Sequence, residues 1–420
     1  MCVYPRIFRV RQKFDDPHLD DIAGAVENEL TRLRLSNVIL AGQSVAISAG
    51  SRGITNINFV TRAIVDHIRQ LGAEPFIVPA MGSHGGGTAE GQQRILESYG
   101  VTEEFCGCPI RSSMDTQVVC HAAEGFPVHF DALAFAADHV IVCNRVKPHT
   151  TFVGDIESGL MKMMLIGLGK HAGARIYHRA IRDFTFGQIV RSVAREVIAR
   201  CSIVAGLGIV ENSYGETCRI QAVAPGELEL REKELLQLAK QWMPRLPFDS
   251  VDILLIDEIG KNISGSGLDV NVVGRKDRCH QTAADTIPGI KMIAVRDLSV
   301  QTHGSAVGIG LAEFCRSRAI DKMNADMTRI NVQTGGYPAE AMLPLDYRTD
   351  REMLDVMLPQ IGLAAPPDAR LLWIRNTKSI AELECSAVYR EQAHERDDLE
   401  VISELRDLPF DNNGNLPDRL

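Results

Sequence analysis

The chain has 420 residues with a formal net charge of −9, and 45% hydrophobic against 24% charged residues leaves room for two full cores. The acidic balance, with arginines spread along the chain and no basic stripe, argues against nucleic acid as a partner. No apolar run approaches the roughly 18 uncharged residues of a membrane span, and Met1-Cys2-Val3-Tyr4-Pro5-Arg6 lacks the apolar stretch of a secretion signal, so no membrane partner and a cytoplasmic location are expected.

In chain order, Ser44–Ser48 reads as a short apolar strand ending in the turn Ala49-Gly50-Ser51-Arg52-Gly53. Residues 56–71 carry helical periodicity, with Phe59, Ile64, Ile68 and Leu71 on one face. Pro75–Pro79 is the next strand, followed by Gly82-Ser83-His84-Gly85-Gly86-Gly87-Thr88, where Thr88 can cap a helix. His139–Cys143 is a buried strand that runs into Asn144-Arg145-Val146-Lys147-Pro148-His149. A helix over 186–200 and a strand over 202–210 follow, then a charged helix over 227–242 and the proline-bearing stretch Met243–Pro247. Beyond it the rhythm restarts with strands at 251–256, 290–295 and 370–374, a helix at 306–316 and a helical segment at 350–361; the polar tail from Glu391 is peripheral. Strands alternating with helices predict two α/β domains with largely parallel sheets, 1–245 and 246–420, and an active-site cleft between them.

The 10 cysteines are scattered, and the one close pair, Cys106-Gly107-Cys108, lacks zinc-site spacing, so the thiols are expected to be structural. Ligands in open α/β sheets sit beyond the carboxyl ends of strands. Three loops leave strands there, carrying Arg52, His84 and His149; if the strands are neighbours, the three side chains converge. Arginine can fork onto a carboxylate, and each imidazole can exchange a proton near neutral pH. Lys147, Ser158, Gly159, Lys162, Gly167, Gly169 and His178 extend this polar, glycine-rich stretch, although Gly167-Leu168-Gly169-Lys170 fits neither a dinucleotide fingerprint nor a phosphate-binding loop. A phosphate can rest on backbone amides at a helix start. The residues alone also admit a metal hydrolase using His84, His149 and His178 with Asp155 or Glu157, or a non-catalytic binder of a nucleotide cofactor.

Four blocks together resemble the LarA-like lactate racemase family: Gly50-Ser51-Arg52, Gly82-Ser83-His84-Gly85, Pro148-His149 through Ser158-Gly159-Leu160-Met161-Lys162, and Tyr177-His178. The resemblance implies a racemase or epimerase inverting C2 of a 2-hydroxy acid by proton-coupled hydride transfer to a nickel-pincer nucleotide. It implies that Lys162 carries the nucleotide covalently, that His178 binds nickel, and that Ser158, Gly159, Gly167 and Gly169 surround the cofactor. His84 and His149 become the proton-transfer pair, and Arg52, Lys147 and Arg275 contact the substrate. It further implies cofactor-synthesis enzymes as partners, and a homo-oligomer is among the expectations. The chain departs from the family at Ala49-Gly50-Ser51-Arg52, where relatives carry Asp-x-Thr-Arg. It departs again in the second-domain stretch 260–277, where Val273, Gly274 and Asp277 fall at the places of a Tyr-Gln pair and a Lys. Lys261, Asn271 or Arg275 are expected to make polar contacts there instead.

Overall fold

The computed structural model describes residues 4–51, 53–276 and 288–418; Arg52, Asp277 and His280 lie outside the described residues. Strand β1 (Ile7–Gln12) opens the chain. It pairs antiparallel with β14 and β15 from the far end of the sequence. The first 14 residues therefore cluster with Pro244–Leu420, and Asp15–Met243 forms the other compact unit. The expected 1–245 domain thus gives up its first strand to the second sheet, a pairing some 375 residues distant that no local pattern announces.

In the Asp15–Met243 unit the sheet comprises β2 (Ser44–Ala49), β3 (Glu74–Pro79), β6 (His139–Arg145), β7 (Ile203–Glu211) and β8 (Thr217–Val223), in the order β3-β2-β6-β7-β8. All pairs are parallel except the β7–β8 hairpin; β4 (Thr116–His121) and β5 (Pro127–Asp131) make a separate antiparallel pair. Alternate strand residues enter two hydrophobic layers, as the two-residue strand period requires. Ala46, Val140 and Val142 pack with Leu160, Met163, Leu165, Tyr177 and Phe186 on one side. Val45, Ile47, Ile141 and Cys143 pack with Val26, Leu30, Val60 and Ile64 on the other. Helix Ile57–Gln70 turns Val60, Ile64 and Ile68 inward, whereas Phe59, expected on that face, is exposed and meets Phe105 edge-on.

The second unit carries an eight-stranded sheet, β12-β11-β10-β9-β13-β14-β1-β15. Its parallel part is β9 (Ser250–Ile256), β10 (Gly289–Val295), β11 (Phe314–Arg316), β12 (Leu345–Tyr347) and β13 (Leu371–Ile374). β14 (Glu382–Ser386), β1 and β15 (Leu399–Val401) extend it antiparallel. The helix expected over 306–316 is absent. Gly308 has a φ of +90° and its Cβ direction is filled by the Ser266 carbonyl, a backbone an α-helix does not adopt, and Phe314–Arg316 is a buried strand. Among the described residues no helix is long and apolar enough to cross a membrane.

Candidate functional site

The carboxyl ends of the neighbouring strands β3, β2 and β6 release the three loops singled out above. After β2, the Ser51 hydroxyl hydrogen-bonds His84 Nδ1, and the Tyr99 hydroxyl donates to the Ser51 carbonyl at 2.6 Å. After β3, fully buried Gln92 donates from Nε2 to the carbonyls of Gly82 at 2.9 Å and His84 at 3.3 Å. Gly85, Gly86 and Gly87 all have φ near +70°, and a Cβ on Gly85 would lie 2.5 Å from the Gly91 backbone. Only glycine permits this turn onto the Thr88-capped helix Ala89–Ser98.

The third loop is closed at its base by the Lys147–Ser158 backbone bridge, with Lys147 N–H donating to the Ser158 carbonyl at 2.8 Å. His149 N–H donates to Glu157 Oε2 at 2.8 Å, and Glu157 pairs with Lys240 at 2.8 Å. Asp155 pairs with Arg191 at 2.6 Å and Lys233 at 3.0 Å; hydrogen bonds from Arg191 and then Lys233, opposed by some burial, hold its carboxyl down to about 2. Both acids a hydrolase would use are thus committed to ion pairs. Among the described residues no three His, Cys, Asp or Glu side chains gather as a metal-ligand set.

From Ser158 the chain enters helix Leu160–Lys162, a π-helical turn Met163–Gly167, and helix Lys170–Ala180 bearing His178. π-turns recur at functional sites because the inserted residue redirects the side chains around it. Lys162 and His178 lie close enough to interact. Burial first, and then the Lys162 ammonium, push the His178 imidazole below its ordinary value. That keeps the ring neutral, the form that ligates a metal. The π-turn touches both neighbouring loops: a Cβ on Gly50 would meet Met163 at 3.1 Å, and one on Gly82 would meet Ile166 at 3.1 Å.

The glycines expected around a cofactor are packed against protein on their Cβ side. A Cβ on Gly167 would lie 2.8 Å from the Ala80 carbonyl, one on Gly169 2.3 Å from that of Leu165, and one on Gly159 2.3 Å from Glu232. Lys170 is fully buried, ion-paired with Asp131 at 2.8 Å and donating to the Pro79 carbonyl, so its ammonium ties the start of the His178 helix to the end of β3. Arg275, expected at the substrate, is 2% exposed, with its guanidinium on the Glu313 carboxylate and the Leu311 carbonyl. Asn271 donates to Asp269 at 2.9 Å. Burial raises the Glu340 carboxyl to about 7, against the opposing pull of the Lys261 ammonium. Of the cysteines, Cys106 and Cys108 are buried, and burial pushes their thiols to about 11 and 12, as inert structural thiols require.

Glu232 was missed by sequence reasoning, although it sits on the stripe Leu228, Leu235, Leu236 and Ala239 that its helix buries; a carboxylate on an apolar stripe is itself a signal. It is fully buried and accepts the Met161 N–H at 2.8 Å. Burial raises it to about 7, opposed by the amides of Met161 and Leu160. Its folded value exceeds the unfolded one near 4.5, so its contribution to stability is fully present below about pH 4.5 and is lost as pH rises through about 7. The unfolding free energy of Glu232→Gln is therefore expected to gain about 3 kcal/mol on the wild type between pH 4.5 and 8, measured by denaturant titration. A pH-independent difference would show the buried carboxyl to be ionised throughout.

Residues 10–185, which contain His84, His149, Lys162 and His178, match the family model of the lactate racemase N-terminal domain. The lactate racemase apoprotein from Thermoanaerobacterium thermosaccharolyticum shares the fold, with a TM-score of 0.56 at 12% identity over 89% of this chain and 99% of that one. A protein from Thermotoga maritima aligns at 14% identity over 67% of this chain and 71% of that one, with a TM-score of 0.48. No curated protein matches the sequence.

Proposed function

We propose that this chain, which matches the lactate racemase N-terminal domain over residues 10–185 and shares its fold with a lactate racemase apoprotein, racemises or epimerises a 2-hydroxy acid at C2 with a nickel-pincer nucleotide joined to Lys162. One observation carries the reading. Lys162 and His178 lie on the helices that flank the π-helical turn Met163–Gly167, and that turn packs against loops at the ends of β2 and β3.

The residues present fit such a group. Lys162 is a half-buried amine at a helix end, and an amine is the group such a covalent link requires. His178 is a neutral imidazole suited to nickel. When bound, the group supplies a hydride acceptor, which removes the need to deprotonate an unactivated C–H bond. The protein's part is then to hold the substrate carboxylate, the role the resemblance gives to Arg52 and Lys147, and to bring imidazoles to the hydroxyl.

The test is co-production with the cofactor-synthesis enzymes, followed by intact-protein and peptide mass, nickel analysis, and a panel of chiral 2-hydroxy acids followed by loss of optical activity. Added mass on Lys162, bound nickel and racemisation of at least one acid are expected. An unmodified Lys162 under those conditions overturns the proposal.

A further inference from the structure

The helix that carries Lys162 begins without a cap of its own. Leu160–Lys162 is a single short turn, and Gly159 at its N-cap position has no side chain to accept the amides that open a helix. Glu232 takes that place from another helix, Leu228–Gln241, 71 residues from its partner along the chain. Its Oε2 accepts the Met161 N–H at 2.8 Å, and the Leu160 amide pulls on the same carboxyl. A side chain at 159 could not cap the turn instead, because a Cβ there would lie 2.3 Å from Glu232 Oε1. The Gly159 carbonyl is held as well, by the Asn144 side-chain amide at 3.0 Å and the Met163 N–H at 3.1 Å. Asn144 lies near the end of β6, so the turn leading into Lys162 is fixed from the sheet and from the Leu228–Gln241 helix together.

We infer that Glu232 is the positioning residue for Lys162, its carboxyl fixing the turn from which the lysine departs, with Asn144 holding the same turn from the sheet. The inference rests on the racemase reading for what Lys162 does, and on these contacts alone for how it is held. Glu232 is fully buried on a stripe with Leu228, Leu235, Leu236 and Ala239. An apolar side chain of similar volume would fill that stripe without the cost of burying a charge, and such exchanges are often neutral or stabilising. What it could not do is accept the Met161 N–H. Either protonation state of Glu232 serves, because a carboxyl that has gained a proton keeps a bare oxygen for the amide. The clamp matters because a first helical turn loses more freedom than its own hydrogen bond returns. An outside acceptor offsets that cost and sets the direction from which the amine meets its reaction partner.

Three full-length proteins decide it: wild type, Glu232→Gln, which keeps an oxygen acceptor, and Glu232→Leu, which keeps the volume and removes the acceptor. In cofactor-free protein, Glu232→Leu is expected to speed amide hydrogen exchange at Met161 by about tenfold or more, the share of one hydrogen bond to a carboxyl. Exchange in β6 should stay at the wild-type rate, and Glu232→Gln should restore slow exchange at Met161. Produced with the cofactor-synthesis enzymes, Glu232→Gln should gain the wild-type mass on Lys162, and Glu232→Leu roughly tenfold less of it. Asn144→Ala, which releases the other hold on Gly159, should move both readouts the same way and keeps the test decisive if Glu232→Leu does not fold. Equal exchange at Met161 in all these proteins, or full modification of Lys162 in Glu232→Leu, overturns the inference. Wild-type protein that shows the expected exchange pattern and still leaves Lys162 unmodified sinks the racemase reading and leaves the clamp standing.

Discussion

Lys162→Ala protein, made alongside the cofactor-synthesis enzymes, is expected to emerge at its unmodified mass and to lose racemisation by on the order of 10³-fold or more, about 4 kcal/mol of barrier. Lys162→Arg should fare no better. Arginine restores a positive charge at the end of helix Leu160–Lys162, but a guanidinium does not supply the amine such a bond requires. That pairing of variants separates a covalent role from an electrostatic one, since a lysine needed only for its charge near His178 would be rescued by arginine. Lys162 is not among the buried residues, so both variants should fold with stability changes within about 0.5 kcal/mol. Intact mass, optical rotation and denaturant titration on the same samples make the comparison.

Lys170→Met is expected to cost about 3–5 kcal/mol of stability, the usual consequence of stripping one partner from a buried ion pair. Lys170 and Asp131 are both fully shielded and 2.8 Å apart, and Asp131 also caps a helical turn by accepting the Ala134 N–H at 2.8 Å. Methionine fills the stem's volume but leaves that carboxylate buried and uncompensated. Adding Asp131→Asn to Lys170→Met should recover much of the loss, because the amide oxygen can still cap Ala134 while the stranded charge is gone. Lys170 also has a φ of +53°, a conformation that costs a non-glycine residue on the order of 1 kcal/mol or more; the ion pair and the Pro79 carbonyl hold it there. With that clamp gone, the helix bearing His178 loses its anchor to β3, so under the proposed function nickel retention should fall along with stability. Denaturant midpoints that coincide for all three proteins would show the clamp to be idle.

The strands that carry the loops could be read from sequence because β2, β3 and β6 are short apolar runs, β2 ending at Gly50 and β3 bounded by prolines. Their side-by-side order could not, since it is set by pairing between residues far apart, such as Val45 with His139. The same limit hid β1, whose partners lie at the other end of the chain. At 306–316 helical spacing was present in the apolar residues, but Gly308 and Gly310 lie against backbone carbonyls where an added Cβ would clash, so tertiary packing overrode the period. Lys162, His178, His84 and His149 stood out as polar groups among glycines. Glu232 and the Lys170–Asp131 pair did not, because a buried charge is recognised by what surrounds it. Arg275 shows the converse: a cation in a divergent loop reads as a ligand contact until Glu313 is seen to occupy it.

The placement of β1 has a consequence for how the protein is made. Arg9 waits for Glu384 across 375 residues of chain, which at roughly 5–20 residues per second is about 20–75 s of synthesis. During that interval the Asp15–Met243 unit is complete and can fold, whereas Ile7–Gln12 is an orphan strand with both edges open. Such a strand invites pairing with other nascent chains on the same message. Its own sequence answers that hazard, for Arg9 and Arg11 interrupt Ile7, Phe8 and Val10 and act as charged gatekeepers until their acidic partners emerge.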